Sequence, residues 1–512
     1  MRKDLCYLNS GFSVDFTGVY SCDIPVERKQ NRAGKLSWDE SERLCFFQNR
    51  HMKKTGIKYR SGRRLTDRIL FAEGNNMGKS IWTEGVSVKA HNALQGNVRT
   101  DVLVIGGGLC GILCAYELNR AGVDCLLVEA EEIAGGTTKN TTAKITSQHG
   151  LIYDSLLRSK GKTYAAGYLE ANQRALEKYR TLSEQYDFDF EEKSAFVYSM
   201  RDRARIEREV QAVNTLGFPA EFAENLPLPF PTKGAVCFPH QAQCHPLKLI
   251  AQLAEELPIY EHTFVERIED GMAETAHGSI AAKKIIVTTH FPFLNRHGSY
   301  FMKLYQHRSY VLALEHAPEV DGMYLDEAQD GLSFRNAGDL LLLGGGGHRT
   351  GQQGGGWREL EEFAASAYPD SHVRYRWAAQ DCMSLDGIPY IGAYAPSTPN
   401  LYVASGFNKW GLTSSMAAAM ILCDLIQGKQ NDFAEIFRPD RRMIKTQMFR
   451  NAWTSTVNLL TPSRRRCTHL GCALKWNPQE HTWDCPCHGS RFEKDGTLID
   501  NPAKRDARSC RK

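Results

Sequence analysis

The sequence predicts an α/β protein in three parts: a domain built on β-α-β units, an α+β domain interleaved with it, and a small β-rich module at the C-terminus. Residues 101–129 show the pattern strand, glycine turn, helix, strand, and an apolar strand at 284–288 returns to the same domain. From Thr461 the chain is loop-like and rich in cysteine and histidine. The predicted architecture rests on these observations.

Length and composition narrow the class of protein. The 512 residues are 42% apolar and 24% charged, as in soluble globular proteins, and suggest about two to four domains. Mean hydropathy is -0.41, and no apolar run approaches the roughly 20 residues that span a bilayer. We therefore expect no transmembrane segment. A net charge of +4, without a basic stripe, argues against nucleic-acid binding.

Cysteine usage and the N-terminus indicate the compartment. Cys110, Cys114 and Cys125 fall inside the β-α-β unit, where cysteine behaves as a small buried hydrophobe. The first residues contain neither the apolar stretch nor the cleavage site of a secretory signal. We expect a cytoplasmic protein. Residues 1–76 lack sustained periodicity, and we predict a poorly ordered extension there, with Met77 as a hypothetical native start.

A dinucleotide-binding fingerprint follows the first strand. Gly106 allows a tight turn, Gly108 lets a pyrophosphate approach the backbone, and Gly111 lets helix and strand pack closely. The helix N-terminus offers unpaired N–H groups to the phosphates. Glu129 ends the next strand, where its carboxylate suits ribose hydroxyls. The pattern predicts a Rossmann-like domain; a glycine-rich turn in an ordinary α/β protein is the alternative.

The segment after Glu129 indicates which dinucleotide binds. Residues 130–144 are small and hydroxyl-rich, which suits a cofactor that extends past the pyrophosphate to a flavin ring. With this segment, residues 100–430 resemble the FAD-dependent amino-acid-oxidase family, which includes glycine oxidase and D-amino-acid oxidase. The stretches that carry the resemblance are residues 101–129, Gly-Gly-Thr-Thr at 135–138, Asp386-Gly-Ile-Pro-Tyr-Ile-Gly392 and Gly406-Phe-Asn-Lys-Trp-Gly411.

The resemblance implies both domain boundaries and cofactor contacts. The expected FAD-binding domain comprises residues 100–150, 260–295 and 385–430, and the expected substrate domain comprises residues 150–260 and 296–384. Helical patterns at 163–185 and 201–215 fall in the substrate domain. In the family the last glycine turn opens a helix whose N-terminus faces the flavin and favours its anionic reduced form. The residues implied in binding FAD are Gly106, Gly108, Gly111, Glu129, Thr137, Thr138, Thr142, Ala143, Lys144, Val265, Gly406, Lys409, Gly411, Leu412 and Thr413.

Two Cys/His motifs near the C-terminus give the strongest signal in the chain. They are Cys467-Thr-His469 and Cys485-Pro-Cys487-His488. Two loops that each offer a thiolate and an imidazole suit a Rieske [2Fe–2S] cluster, in which two cysteines hold one iron and two histidines the other. We predict Cys467, His469, Cys485 and His488 as ligands in a module of residues 461–512. A zinc knuckle, which favours C-x₂-C pairs, is the alternative.

Two further cysteines, Cys472 and Cys487, accompany the ligands. In the cytochrome bc-type Rieske proteins that this segment resembles, the corresponding cysteines form a disulfide, and the resemblance implies the same pairing here. Ser490 resembles the serine that bonds a bridging sulfide and raises the reduction potential. Phe492 stands where the family often has tyrosine, so we predict a potential below the high end of the class.

Candidates for catalysis rest on weaker signals. A Gly-Gly-Gly-Gly-His-Arg run at 344–349 follows an apolar strand, which would bring His348 and Arg349 to the flavin face, where the arginine suits a substrate carboxylate; a flexible turn with solvated tips is the alternative. A strand near 305–310 lies on the substrate side by resemblance, and alternation sends Tyr305 to one face and Arg308 and Tyr310 to the other; packing is the alternative. The candidates are Tyr305, Arg308, Tyr310, His348 and Arg349.

Together these features predict an FAD-dependent oxidoreductase. The leading hypothesis is a dehydrogenase that oxidises an amine or amino-acid-like substrate and passes electrons through the Rieske cluster to an external electron-transfer partner. Reverse flow, from a donor through the cluster to the flavin, remains open. One alternative is an electron-transfer or redox-sensing protein without turnover of a small molecule, and another is an O₂-using oxidase with a structural cluster.

Overall fold

The structure is a computed structural model that describes residues 78–441 and 446–507, with the backbone alone for residues 446–449. The extension predicted at residues 1–76 and the start hypothesised at Met77 lie outside the described residues. Within the described ranges, no helix is both long enough and apolar enough to cross a membrane.

The first sheet has eight strands around a parallel centre. Its central order is β16-β17-β10-β1-β2-β7, parallel throughout except for β16, and β9 and β8 extend it as antiparallel neighbours beside β10. The run Val102–Ile105 is buried on both faces, as expected of a parallel strand under helices. The strands are β1 (Val98–Ile105), β2 (Cys125–Val128), β7 (Ile259–Tyr260), β8 (Val265–Glu269), β9 (Met272–Thr275), β10 (Gly278–Val287), β16 (Tyr390–Ala393) and β17 (Leu401–Ser405).

The second sheet has nine strands and is largely antiparallel. Its order is β15-β11-β14-β13-β12-β4-β6-β3, with β5 beside β6, and β4 and β12 form its parallel pair. The strands are β3 (Lys144–Ile145), β4 (Glu191–Ser199), β5 (Glu221–Ala223), β6 (Gly234–Gln243), β11 (Leu304–Glu315), β12 (Met323–Asp326), β13 (Ser333–Ala337), β14 (Leu340–Arg349) and β15 (His372–Ser384).

The helices confirm the sequence pattern where it was clear. The patterns at 163–185 and 201–215 correspond to helices at Lys162–Ser183 and Arg203–Thr215. Two short 3-10 helices lie at Ile81–Thr83 and Thr137–Asn140. The α-helices are α1 (Leu109–Arg120), α2 (Tyr153–Lys160), α3 (Lys162–Ser183), α4 (Arg203–Thr215), α5 (Pro246–Leu253), α6 (Tyr300–Lys303), α7 (Gly356–Ala367), α8 (Gly411–Ile426), α9 (Ala434–Phe437) and α10 (Thr446–Leu460).

The C-terminal module is β-rich, as predicted. A four-stranded antiparallel sheet runs in the order β18-β19-β20-β21 and carries the two Cys/His loops. Helix α10, which was not predicted from the sequence, leads into it. The strands are β18 (Lys475–Asn477), β19 (Thr482–Asp484), β20 (Arg491–Phe492) and β21 (Leu498–Asp500).

Candidate redox site

The first glycine turn is tightly enclosed. Gly106 has φ 111°, and a Cβ there would lie 2.9 Å from the backbone carbonyl of Thr288. A Cβ on Gly111 would lie 1.8 Å from the Gly106 oxygen, so only glycine permits this contact between helix and turn. Helix α1 begins at Leu109, and its N-cap, Gly108, provides no side-chain cap. Apart from the Leu109 N–H, which donates to Thr138 Oγ1, the first N–H groups of the helix therefore suit phosphate oxygens.

Glu129 supports this turn directly. Its Oε2 accepts a hydrogen bond from the Gly107 N–H at 2.6 Å, and its Oε1 accepts one from the Glu131 N–H at 3.0 Å. Burial raises the pKa of Glu129. The contact of this carboxylate with ribose hydroxyls stays a prediction, and the structure adds a role in shaping the glycine turn.

The hydroxyl-rich segment connects the two sheets. Thr138 Oγ1 accepts a hydrogen bond from the Leu109 N–H at 3.0 Å, at the start of α1. Thr137 Oγ1 donates to the backbone carbonyl of Gln380, on β15 of the second sheet, at 3.1 Å. The segment thus holds the N-terminus of α1 against the neighbouring domain.

The end of the same segment surrounds a half-buried lysine. Ala143 has φ 53°, and Arg335 Nη1 donates to the carbonyls of Thr142 and Ala143 at 2.8 and 2.9 Å. Lys144 Nζ donates to Thr142 Oγ1 at 3.2 Å. Burial, together with the Arg335 guanidinium, lowers the pKa of Lys144 to about 7. An ammonium group held in this way is suited to pairing with an anionic part of a cofactor.

The last glycine turn precedes α8. Gly406 and Lys409 both have left-handed backbones, with φ 74° and 77°. Lys409 Nζ donates to the Gln329 carbonyl at 3.0 Å, and burial lowers its pKa. Helix α8 begins at Gly411, where a Cβ would meet no described atom within 4 Å, and continues into buried Leu412 and Thr413. The backbone here leaves room for a flat ring against the helix N-terminus, so the residues fit a flavin.

Both turns lie at one edge of the first sheet. Strands β1, β10 and β17 are parallel neighbours in register, with Ile105 opposite Val287 and Val287 opposite Val403. The chain that leaves β10 therefore passes between the two glycine turns, and Thr288 Oγ1 donates to the Gly106 carbonyl at 3.0 Å. Ligands of open α/β sheets bind at such carboxyl edges. Val265 begins the β8–β9 extension and is buried; its adenine contact stays a prediction.

The Cys/His loops meet in a buried cluster. The Cys467 and Cys485 thiols are in contact, and the His469 and His488 rings lie 4.9 Å apart. Both Nδ1 atoms are buried and have no hydrogen-bond partner among the described residues. Burial lowers the pKa of these histidines, to about 4 and about 3, which keeps the imidazoles neutral for ligation. Two thiols and two unpaired imidazole nitrogens fit the donor set of a Rieske cluster.

A second sulfur group adjoins this set. The Sγ atoms of Cys472, Cys485 and Cys487 all lie within 4.8 Å of one another. Both Cys472 and Cys487 carry free thiols in this structure, so their pairing in a disulfide stays a prediction. A group of three thiols is one form that the zinc alternative would take. The unpaired imidazole nitrogens favour the two-cysteine, two-histidine set, because a three-thiol site would leave both nitrogens buried without a partner.

The module is docked on the second sheet by buried charges. Glu480 accepts hydrogen bonds from Arg308 Nε at 3.0 Å, from Arg491 Nη2 at 2.7 Å and from the Tyr310 hydroxyl at 3.0 Å. The side chains of Arg308 and Glu480 are 4% and 8% exposed. Burial alone would raise the pKa of Glu480, but Arg308 and Arg491 outweigh it and lower the pKa to about 2. Arg308 and Tyr310 share one face of β11, as the alternation predicted.

The other catalytic candidates also lie near the module. His348 Nε2 is 3.0 Å from the Tyr310 hydroxyl, and Arg349 Nη2 donates to the Cys487 carbonyl at 3.2 Å. The Arg349 guanidinium stacks over the Tyr305 ring at 5.1 Å. Three of the five candidates, Arg308, Tyr310 and Arg349, thus contact the module directly, and the catalytic role of all five stays a prediction. No sequence motif indicates this docking surface, because Glu480 is 172 residues from Arg308.

The imidazoles of the cluster face the chain that leaves β10. The Phe291 ring contacts the His469 and His488 rings edge-on, at 6.4 and 6.2 Å between centroids. His469 Nε2 is 3.0 Å from Asn295 Oδ1, and His488 bonds the backbone carbonyl of Phe301. We call this contact of residues 291–301 with His469 and His488 the histidine edge. It joins the Cys/His loops to the edge of the first sheet.

A glutamine makes a second connection between the Cys/His loops and the hydroxyl-rich segment of the flavin-binding part. Gln380 Nε2 donates to the Gly489 carbonyl in the second Cys/His loop at 3.0 Å, while its own backbone carbonyl accepts from Thr137. Gln306 Nε2 likewise donates to the Asn501 carbonyl at 3.3 Å. Isolated glutamines inside strands form no motif, so these contacts were not predictable from the sequence.

Comparison with known proteins agrees with this geometry. A family model described as FAD dependent oxidoreductase matches residues 101–425, and one described as Rieske [2Fe-2S] domain matches residues 456–511. YhfW of Bacillus subtilis (strain 168), named as a Rieske 2Fe-2S iron-sulfur protein, is 34% identical over 488 residues, which cover 83% of this chain and 96% of that protein.

Solved structures share the fold of the larger part. Glycine oxidase from Geobacillus kaustophilus superposes with a TM-score of 0.58 at 20% identity, covering 68% of this chain and 100% of that one. L-proline dehydrogenase from P. horikoshii superposes with a TM-score of 0.56 at 18% identity, covering 68% and 98%. The chain therefore belongs to the FAD-dependent oxidoreductase family and carries a Rieske domain, with FAD and a [2Fe–2S] cluster as its cofactors.

Proposed function

We propose that the protein is a dehydrogenase that oxidises an amine or amino-acid-like substrate at the flavin and passes the electrons through the Rieske cluster to an external one-electron acceptor. The observation that supports it is the meeting of the two glycine turns and the histidine edge at one edge of the first sheet. FAD, when bound, supplies two-electron chemistry, and the cluster supplies one-electron transfer.

The overall reaction balances with a one-electron acceptor. A substrate with a C–H bond beside an amine N–H loses two electrons and two protons and becomes an imine. Two acceptor molecules each take one electron, and the two protons go to solvent. The similarity to a glycine oxidase and an L-proline dehydrogenase supports this substrate class, because both names specify an amino acid as the substrate.

The chain's own groups have defined tasks in this proposal. The N-termini of α1 and α8 bind the pyrophosphate and the flavin ring with the residues named above, and Lys144 and Lys409 add half-buried amino groups nearby. Cys467 and Cys485 hold one iron, and His469 and His488 hold the other. Phe291 and Gln380 keep the two cofactor regions at a fixed separation.

The test uses the full holoprotein without oxygen. Mixed with a panel of amines and amino acids, it should bleach its flavin absorbance, and the electron paramagnetic resonance signal of a reduced Rieske cluster should then grow. The matched control is Cys485→Ser, which removes one thiolate ligand. This variant should still bleach its flavin with the same substrate but give no cluster signal and no transfer to a one-electron dye acceptor.

The other hypotheses predict different outcomes. Peroxide formed in proportion to substrate by both wild type and Cys485→Ser would identify an oxidase with a structural cluster. Flavin bleached by the substrate while the cluster stays oxidised would contradict the relay. An absence of bleaching across the panel, with flavin reduced through a chemically reduced cluster, would favour flow in the opposite direction or a sensing role.

A further inference from the structure

Helix α10 lies directly on the Cys/His loops. The carbonyl of Asn458 accepts a hydrogen bond from the Ala473 N–H at 2.9 Å, and the carbonyl of Thr454 lies 4.0 Å from Cys487 Sγ. Asn451 Oδ1 accepts from Arg349 Nη1 at 2.8 Å. The inner face of α10 is therefore fixed against both the module and the second sheet.

The outer face of the same helix is apolar and exposed. Trp453 is 72% exposed and Leu460 is 77% exposed, and Val457 lies between them on the same helical face. Leu470, in the first Cys/His loop directly after the ligand His469, is 41% exposed. The loop reaches the helix end, since a Cβ on Gly471 would lie 3.9 Å from the Leu459 side chain. We name Trp453, Val457, Leu460 and Leu470 the outer patch.

This concentration of exposed apolar side chains is unusual in the described part of the chain. Of the ten large apolar side chains exposed there, five lie between residues 453 and 470, and the other five are dispersed between residues 264 and 499. Exposed apolar residues that occur singly need no explanation, but a contiguous group marks an interaction surface. Tryptophan in particular is enriched among residues that dominate binding energy.

The segment that carries the outer patch is basic. Residues 450–479 include five lysines and arginines and no aspartate or glutamate. Arg450 lies three residues before Trp453 on the same helical face, and Arg464 follows the helix; both are exposed. Arg466 donates to the carbonyls of Leu459 and Gly471 at 3.2 and 2.7 Å, which joins the helix end to the ligand loop. A basic rim around an apolar centre favours an acidic partner.

One side of the cluster, the histidine edge, is already occupied by this chain. At the histidine edge, Asn295 Oδ1 bonds His469 Nε2, and the Phe301 carbonyl bonds the His488 imidazole. The Phe291 ring contacts both imidazoles. A carrier therefore approaches the cluster on another side, and the outer patch includes Leu470, which adjoins the ligand His469 in sequence.

We propose that the outer patch is the docking site of a small acidic one-electron carrier protein. The proposal rests on the proposed function and specifies its electron partner. In each encounter one electron moves between the cluster and the carrier, so that one is oxidised as the other is reduced, and no bond forms or breaks. Two encounters complete one substrate turnover. A small apolar centre with a charged rim is typical of transient redox complexes, which associate quickly and separate readily.

The test measures docking without any substrate. Oxidised full-length holoprotein is mixed in a stopped-flow instrument with chemically reduced plant-type [2Fe–2S] ferredoxin, a small acidic carrier whose potential lies far below that of Rieske centres. The second-order rate of cluster reduction should fall steeply as salt is added. Trp453→Ser, and separately Arg450→Glu with Arg464→Glu, should lower that rate at low salt by at least about tenfold.

Matched controls separate docking from general damage. Phe264→Ser removes an exposed aromatic ring from the flavin-binding part, and Arg201→Glu with Arg208→Glu reverses two exposed charges on and beside α4. Both controls should keep the wild-type rate. All variants should keep the wild-type cluster spectrum, and substrate-driven bleaching of the flavin should be unchanged. A failed substrate panel would therefore reject the proposed function while leaving the ferredoxin result intact.

Several outcomes would overturn the docking site. One is a ferredoxin rate that the patch variants leave at the wild-type value. A second is loss of binding to phosphatidylserine-containing vesicles in Trp453→Ser with an unchanged ferredoxin rate, which would identify the helix as a lipid contact. A third is conversion of a dimer to a monomer by Trp453→Ser with an unchanged ferredoxin rate, which would assign the patch to a second copy of the chain.

Discussion

The larger, flavin-binding part of the chain, which includes residues 101–425, and the C-terminal module are stabilised in different ways. The largest fully buried side chains, from Tyr153 to Tyr394, all belong to the flavin-binding part. The core of the module contains eight buried side chains among the described residues, and four of these are cysteines. A core this small is marginal on its own. The module therefore depends on its cluster and on contacts with the larger part.

Those contacts are unusually polar for a docking surface. Glu480 lies between Arg308 from the larger part and Arg491 from the module, and Arg491 also contacts Asp484 and Asp500. Burial opposes the charge on Arg491, but the carboxylates outweigh it and raise its pKa. Such a network contributes only while all its members are paired, because a single unpaired buried charge is costly.

The largest expected effect comes from removing the central carboxylate. Glu480→Ala leaves Arg308 and Arg491 buried without their shared partner, and we expect the module to lose about 3–5 kcal/mol of stability. The flavin-binding part should keep its own unfolding transition. Urea denaturation followed through the iron–sulfur absorbance and, separately, the flavin absorbance measures both.

The matched control for this prediction is Glu493→Ala. Glu493 is an exposed carboxylate of the module, and its removal should change stability by less than about 0.5 kcal/mol. Equal stability of the two variants would show that the buried network does not hold the module.

A somewhat smaller effect on the stability of the docked module is expected when the pH is lowered. The folded pKa of Glu480 is about 2 against an ordinary value of 4.5, so its carboxylate stabilises the docked module fully above pH about 4.5. That contribution, on the order of 3 kcal/mol, is lost as the pH falls from about 4.5 toward 2. The difference in unfolding free energy between wild type and Glu480→Gln should therefore be full at pH 7 and shrink across this range. A difference independent of pH would contradict the assigned role.

The elements that were predicted well from the sequence are those in which local patterns limit the residue types. The glycine turn at 106–111 and the motifs around Cys467 and Cys485 are local patterns in which backbone conformation or ligand spacing limits the residue types. Their strands and helices lie where the patterns indicated, and the family and both cofactors are confirmed. Helices α3 and α4 were equally clear because each repeats the helical period over several turns.

The docking surface was not predictable in the same way. Arg308, Tyr310 and Glu480 meet only because β11 and the β18–β19 turn are brought together by the tertiary fold. An arginine or tyrosine on a strand is equally compatible with substrate binding, packing or an interface. Helix α10 was missed because its apolar outer face departs from the usual pattern of a helix with one buried apolar side.

The smallest expected effect is on the reduction potential of the cluster, to which the larger part contributes a hydrogen bond. Asn295 Oδ1 accepts a hydrogen bond from His469 Nε2, and an acceptor there makes a ligand imidazole more electron-rich, which favours the oxidised cluster. Asn295→Leu should therefore raise the reduction potential, by roughly 20 mV for a hydrogen bond that is partly exposed to water. Asn295→Asp, which keeps an acceptor and adds negative charge, should lower it. Potentials from redox titration that move together in both variants, or not at all, would show that this part of the histidine edge holds the module without tuning the cluster.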